Sequence, residues 1–256
     1  MAVYTRISNR DLSLIEDKFN LEKIISFKGI TEGIENTNYL IKTKKEKYIL
    51  TIFEKRVQKK DLPFFMGLMD SLNKYKINCP KPLKTKKKKY LITLKKKSAC
   101  IVTFIEGKDK KILSAKDCYV IGKNIAKFHK VSSKIKLFRK NSLSANNLSS
   151  LIKNIKFRKK NMAPNLQYVL KQSLSEIKKE WPKKLPKGII HADLFIDNIF
   201  FKNNKFKGFI DFYFSCSDFL MYEIAICVNA LCFDKKNNKF YLNKKKVKNL
   251  IEGYST

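Results

Sequence analysis

Polar and apolar residues alternate through much of the first hundred positions and fall at helical spacing through most of the remaining chain. Residues 9–19 open on Asn9-Arg10-Asp11-Leu12 and carry a helical pattern, with Asn9 or Asp11 in the capping place. Residues 24–28 read as a strand. Residues 37–41 and 48–53 alternate like a hairpin joined through 44–47. Helical spacing returns over 62–75, with Pro63 in the first turn, where its missing N–H is harmless. Beyond a turn bracketed by Pro80 and Pro82, residues 90–94 and 99–105 are two further strands.

Glu106-Gly107-Lys108-Asp109 has the make-up of a hinge, and the pattern then turns helical over 117–131 and 165–181. A short apolar strand at 188–190 leads into His191. Segments 199–201 and 206–210 flank the turn Asn203-Asn204, and 219–232 is apolar enough for a buried helix. The order predicts an α+β chain with two lobes and a cleft between them. Residues 1–106 form a strand-rich lobe, and residues 107–256 form a mostly helical lobe with a small β island. There is no internal repeat.

Composition narrows the function classes. The chain has 256 residues, 44% of them apolar, which permits a sizeable core and excludes disorder. Its net charge is +34, a value that first suggests a nucleic-acid binder. The charge is carried by 51 Lys and only 5 Arg, scattered rather than striped, and Asn is abundant at 21 residues. Nucleic-acid readout draws on the planar Arg fork, so the excess reads as a solvated lysine surface, with no nucleic-acid partner expected. The apolar run 219–233 is broken by Glu223 and Asn229 and spans no membrane. The first residues lack the basic-then-apolar order of an export signal. Six cysteines without a Cys-x-x-Cys pair then read as reduced, buried thiols in a cytoplasmic protein.

The β island carries the chemistry. It reads His191-Ala192-Asp193-Leu194-Phe195-Ile196-Asp197-Asn198, with Asp211 18 residues beyond Asp193. A His-x-Asp-x4-Asn string is expected only about 0.007 times by chance in a chain of this composition. Phosphoryl transfer needs this set: one carboxylate facing the acceptor hydroxyl, and an amide oxygen and a second carboxylate holding Mg²⁺ against the phosphates. Turn capping by Asp193 and Asp197 explains neither the flanking strands nor Asp211. The turn-rich stretch from Gly29 to Asn38 lies between two strands, where backbone N–H groups can cover phosphates. His129, lacking partners in sequence, reads as a packed helix residue, and Cys227 and Cys232 as core.

These residues resemble the aminoglycoside phosphotransferase and choline kinase superfamily, and more closely its homoserine kinase branch. The resemblance rests on the segments from Ser26 to Tyr39, Tyr48 to Val57 and Asp61 to Met69. It continues through Cys79-Pro80-Lys81-Pro82, Val102 to Gly107, His191 to Asn198, Ile210 to Asp218 and Ala225 to Ala230. It implies a protein-kinase-like fold and a monomeric enzyme that phosphorylates the hydroxyl of L-homoserine with ATP and Mg²⁺. Asp193 would be the catalytic base or orienting carboxylate, His191 the brace of its loop, and Asn198 and Asp211 the metal ligands. Gly29, Glu32, Gly33, Asn36 and Asn38 would cover the nucleotide.

Three features depart from that pattern. Thr51 stands where many related kinases carry a phosphate-pairing Lys or Arg, a charge that Lys55 or Arg56 could supply instead. Ile196 replaces a usual Pro. Family members also continue for several dozen residues beyond Tyr254. Homoserine needs an acidic partner for its ammonium group, for which Asp197, Asp218 and Glu223 are candidates. It needs a cation for its carboxylate, and the sequence singles out no lysine. Choline, ethanolamine, methylthioribose or an amino sugar stay open as acceptors, and so does an inactive fragment.

Overall fold

A computed structural model of the chain describes residues 3–31, 35–54, 56–155, 163 and 165–256. The first half holds helix α1 (Asn9–Phe19), strands β1 (Ser26–Ile30), β2 (Thr37–Lys42) and β3 (Lys47–Ile52), helix α2 (Leu62–Lys74), and strands β4 (Leu91–Leu94) and β5 (Lys97–Thr103). The strands make one antiparallel sheet in the order β1-β2-β3-β5-β4. Their period-2 pattern gives the sheet two apolar faces. Tyr39, Ile41, Leu50, Ile52 and Ile101 pack with Leu12, Ile15 and Phe19 of α1. Cys100 and Val102 face the other way and join Phe65, Leu68 and Leu72 of α2 in a core continuous with the second half.

Ser8 caps α1, one residue ahead of the expected Asn9. Its hydroxyl takes the Asp11 N–H while the Asp11 carboxylate takes the Ser8 N–H at 2.8 Å, so Asp11 closes a capping box from the third helical position. Pro63 occupies the first turn of α2, as its sequence position requires.

Helix α3 (Ala115–Ser132) opens the second half, followed by α4 (Ala145–Lys153) and α5 (Leu166–Glu180). The island comes next: β6 (Lys187–Ile190), β7 (Ile199–Lys202), β8 (Lys205–Phe209) and β9 (Cys216–Phe219). Helix α6 (Leu220–Leu231), the exposed hairpin β10 (Phe233–Lys236) and β11 (Lys239–Leu242), and α7 (Lys244–Tyr254) complete the chain. Strand β6 pairs with β9, and β7 pairs with β8. Asn203 and Asn204 both adopt left-handed backbone, φ 51° and 58°, which a two-residue hairpin turn demands.

Helices α4 and α7 and strands β9 to β11 are not evident from the pattern. Helix α7 is hidden by its lysines, yet it packs closely along α3. The contact is bare backbone on both sides. A Cβ on Gly122 would lie 2.1 Å from the Leu250 carbonyl oxygen, and one on Gly253 would lie 2.0 Å from that of Tyr119. His129 of α3 is buried, and its Nδ1 is 2.9 Å from the Tyr254 hydroxyl of α7, so it packs as expected.

Between the halves, the Glu106 carboxylate takes Lys47 from β3 at 2.8 Å and Lys202 from β7 at 2.9 Å. The two ammonium groups hold its carboxyl down to about 2. Lys108 and Phe201 exchange backbone hydrogen bonds of 3.0 and 2.8 Å, which ties the connecting segment to the island. All six cysteines are free and buried. Among the described residues no helix is long and apolar enough to cross a membrane.

Candidate active site

The loop after β6 is built around a buried acid. Glu223, fully buried on α6, accepts the backbone N–H groups of His191 and, at 3.0 Å, of Ala192. That use of the carboxylate excludes Glu223 from the acceptor role considered for it, since it faces the back of the loop. The two bonds hold Ala192 at φ 66°, a left-handed conformation disfavoured for a residue with a Cβ. His191 is fully buried, with its Nε2–H donating to the Ile210 carbonyl at 2.8 Å and its ring 4.5 Å from that of Phe212. Burial lowers its pKa, so the ring is neutral at physiological pH. His191 thus ties the loop to the end of β8.

Asp193 emerges half-buried from this braced turn. The Asn198 side-chain N–H₂ donates to the Asp193 carbonyl at 2.8 Å and to its carboxylate at 3.0 Å. Asn198, mostly buried in the short 3₁₀ turn Ile196–Asn198, accepts the Ile210 N–H at its backbone carbonyl. Ile196 opens this turn. Burial pushes the Asp193 carboxyl up to about 6. The neighbouring carboxylates Asp211 and Asp197 add to the rise, and Asn198 and Arg56 oppose it.

Asp211 follows β8 at φ 61° and ψ 62°, a second left-handed non-glycine residue. Asp211 is exposed as a residue, yet the protein packed around its carboxyl desolvates it and raises its pKa, and the Asp197 carboxylate adds to the rise. Asp193, Asp197, Asn198 and Asp211 are therefore brought together. Asp218 is engaged elsewhere: its carboxylate takes the Asn141 amide and the Phe219 N–H, both at 2.7 Å.

Gly29 is in β1, and Asn36 and Asn38 are anchored. The Asn36 amide oxygen accepts the Glu54 N–H at 3.3 Å, and that of Asn38 accepts the buried Thr51 hydroxyl at 2.8 Å. Glu32, Gly33 and Lys55 lie outside the described residues. Thr51 thus serves the loop's attachment to β3, and Arg56 is a described cation near the reaction centre.

A cavity of about 420 Å³ adjoins this centre, lined by Glu35, by Arg56, Val57, Gln58, Lys60 and Asp61, by Arg139, Lys140, Ser142, Leu143 and Asn147, and by Tyr213 and Phe214. Arg139 holds it together, with Nε on the Asp61 carboxylate at 2.7 Å and Nη1 on the Ser215 and Phe214 carbonyls at 3.1 and 3.4 Å. Sequence reasoning did not single out Arg139, although its place among only five arginines was a usable signal.

The pattern of the phosphotransferase enzyme family matches residues 26–242. A homoserine kinase of Rhizobium etli is 40% identical over 256 residues, covering 100% of this chain and 79% of that protein. A homoserine kinase of Allorhizobium ampelinum is 41% identical over 254 residues, covering 99% and 78%. Among solved structures, an amicoumacin kinase in complex with AMP-PNP, Ca²⁺ and Ami superposes with a TM-score of 0.77. It has 14% identity and covers 98% of this chain and 78% of that one. A spectinomycin phosphotransferase with ADP and spectinomycin gives a TM-score of 0.68 at 13% identity, covering 98% and 81%. These two likenesses establish the kinase-like fold.

Proposed function

This chain belongs to the phosphotransferase enzyme family, and from that membership we propose that it transfers the γ-phosphoryl group of ATP to the hydroxyl of L-homoserine, giving O-phospho-L-homoserine. Relatives that bear this activity in their names, about 40% identical along the whole chain, support the acceptor. The observation that carries the chemistry is the convergence of Asp193, Asn198 and Asp211 on one strained, braced turn beside the cleft.

Asp193 has the role of the base that orients the acceptor hydroxyl and takes its proton. A carboxyl at about 6 is mostly ionised at neutral pH and still basic enough to draw a proton as the oxygen attacks. His191 and Glu223 act on the loop's backbone and hold Asp193 in place. Residues 1–106 are read as the nucleotide lobe and 107–256 as the catalytic one, with the Gly29–Asn38 segment over the phosphates.

The donor set fits Mg²⁺. The Asn198 amide nitrogen is committed to Asp193, so its oxygen is the atom that would meet an ion, and Asp211 is exposed as a residue. Two oxygen donors suffice for an ion that keeps several waters, and the mutual repulsion of Asp193, Asp197 and Asp211 is what a cation relieves. When bound, the ion supplies charge neutralisation at the phosphate oxygens. Of the acids the sequence offers for the acceptor's ammonium group, Asp197 is exposed next to Asp193, whereas Asp218 already accepts from Asn141 and the Phe219 N–H.

The test is Mg²⁺-dependent ADP release with L-homoserine beside choline, ethanolamine, methylthioribose and an aminoglycoside. Preference for L-homoserine, abolished by EDTA, is expected. Turnover only with another acceptor would keep the chemistry and overturn the substrate.

A further inference from the structure

The cavity beside the reaction centre has a definite charge. Four cations, Arg56, Lys60, Arg139 and Lys140, line it against two acids, Glu35 and Asp61. Such a surplus disfavours acceptors that are only cationic, such as choline or an aminoglycoside, and favours one that carries an anion. Arg139 and Asp61 neutralise each other at 2.7 Å, and the rest of the Arg139 fork is largely spent on backbone carbonyls. Lys60 and Lys140 are exposed point charges.

Arg56 is different. Its guanidinium lies 4.8 Å from the ring centroid of Phe214, three residues beyond Asp211, and pairs through Nη1 with Glu35. Its side chain lines the cavity and keeps 56% of its surface exposed, so Glu35 and Phe214 do not enclose the guanidinium. A fork resting on an aromatic ring is held in orientation before any ligand arrives, and its planar geometry matches a carboxylate in two-point contact. In a chain with 51 lysines, two of only five arginines fall in this one cavity, where that geometry has a use.

Resting on the kinase reading above, we propose that the cavity seats the acceptor and that Arg56 receives its carboxylate. Glu35, which lines the cavity where Asp197 and Asp218 do not, then faces the α-ammonium in their place, and the side-chain hydroxyl extends toward Asp193. Arg56 therefore selects α-amino acids over amino alcohols and amino sugars.

The experiment compares L-homoserine with L-homoserinamide, whose carboxyl is uncharged, on the wild-type protein and on Arg56→Gln and Arg56→Lys. Loss of one charge-assisted bidentate pair should raise the wild-type KM for the amide about 10- to 100-fold. Arg56→Gln should raise the KM for L-homoserine by a similar factor, leave the KM for ATP near its wild-type value, and abolish discrimination between the two acceptors. Arg56→Lys should restore part of that discrimination. A wild-type protein that accepts both equally overturns the proposal, as does a variant whose KM rises for ATP alone, which would assign Arg56 to the phosphates. Failure of the wild type to use L-homoserine while phosphorylating choline or an aminoglycoside would sink the acceptor reading itself, a result distinct from either.

Discussion

Asp193→Asn should make the protein more stable while making it inactive. Asp193 carries its carboxyl at about 6 against an ordinary 3.8 because it is desolvated and faces Asp211 and Asp197. Ionising it therefore costs the folded chain at most about 3 kcal/mol, and solvent at this half-open position lowers that to about 1–2 kcal/mol. The sign is set by linkage. The native state holds a proton that the unfolded chain has already lost between pH 3.8 and about 6. The stability this confers is present below 3.8, is lost as pH rises, and is gone above about 6. Asparagine does not titrate, and its side-chain oxygen can still accept from Asn198. The variant's advantage is therefore nil near pH 4 and complete by pH 8. For a chain of this size it amounts to about 2–8 °C in melting temperature. Paired thermal melts in EDTA without nucleotide, at pH 4.5, 6 and 8, would measure it. Turnover should fall about 10²- to 10⁴-fold with nucleotide binding retained. An equal difference at every pH, or a variant less stable at pH 8, would refute the electrostatic argument. Near-normal turnover would remove Asp193 from catalysis.

Glu223→Gln replaces one of two buried acceptors by a donor aimed at an N–H group, which should cost about 1–3 kcal/mol in urea unfolding. The same change should lower kcat at least about tenfold with the KM for ATP unmoved; full activity would mean that the loop holds its shape without the brace. Gly253→Ala forces a Cβ against the Tyr119 carbonyl, so α3 and α7 must separate, at about 1–3 kcal/mol. An unchanged urea midpoint would show that this packing is looser than its backbone contact implies.

Most of the fold was legible because its elements obey local rules. The sheet strands alternate, Pro63 marks a helix start, and Asn203-Asn204 can only be a turn of left-handed residues. What was missed depends on partners far away in sequence. Helix α7 begins with three lysines, and its burial comes from Gly253 meeting Tyr119, a fit that no hydropathy pattern records. Strand β9 is four residues long and is defined by its ladder with β6. The cavity draws on four separate stretches, so Arg56, a possible phosphate cation in the sequence, could not be set beside Phe214 and Glu35 before the chain was folded.

The surplus of lysine gives the reaction centre a property of its own. With 56 basic residues against 22 acidic ones, a carboxylate in this chain meets a cation easily, and Glu54, Glu106, Asp117 and Asp234 each do. Among the described residues, Asp193, Asp197 and Asp211 form no ion pair, although they sit close enough together to raise Asp193 by repulsion. A lysine within 4 Å of them would lower the base's pKa and occupy the oxygens that suit a divalent cation. The nearby cation Arg56 is instead stacked on Phe214 and paired with Glu35, where its field tempers the cluster without joining it. The fold's contribution to the chemistry is thus partly exclusion: it collects three acids and keeps the described lysines off them.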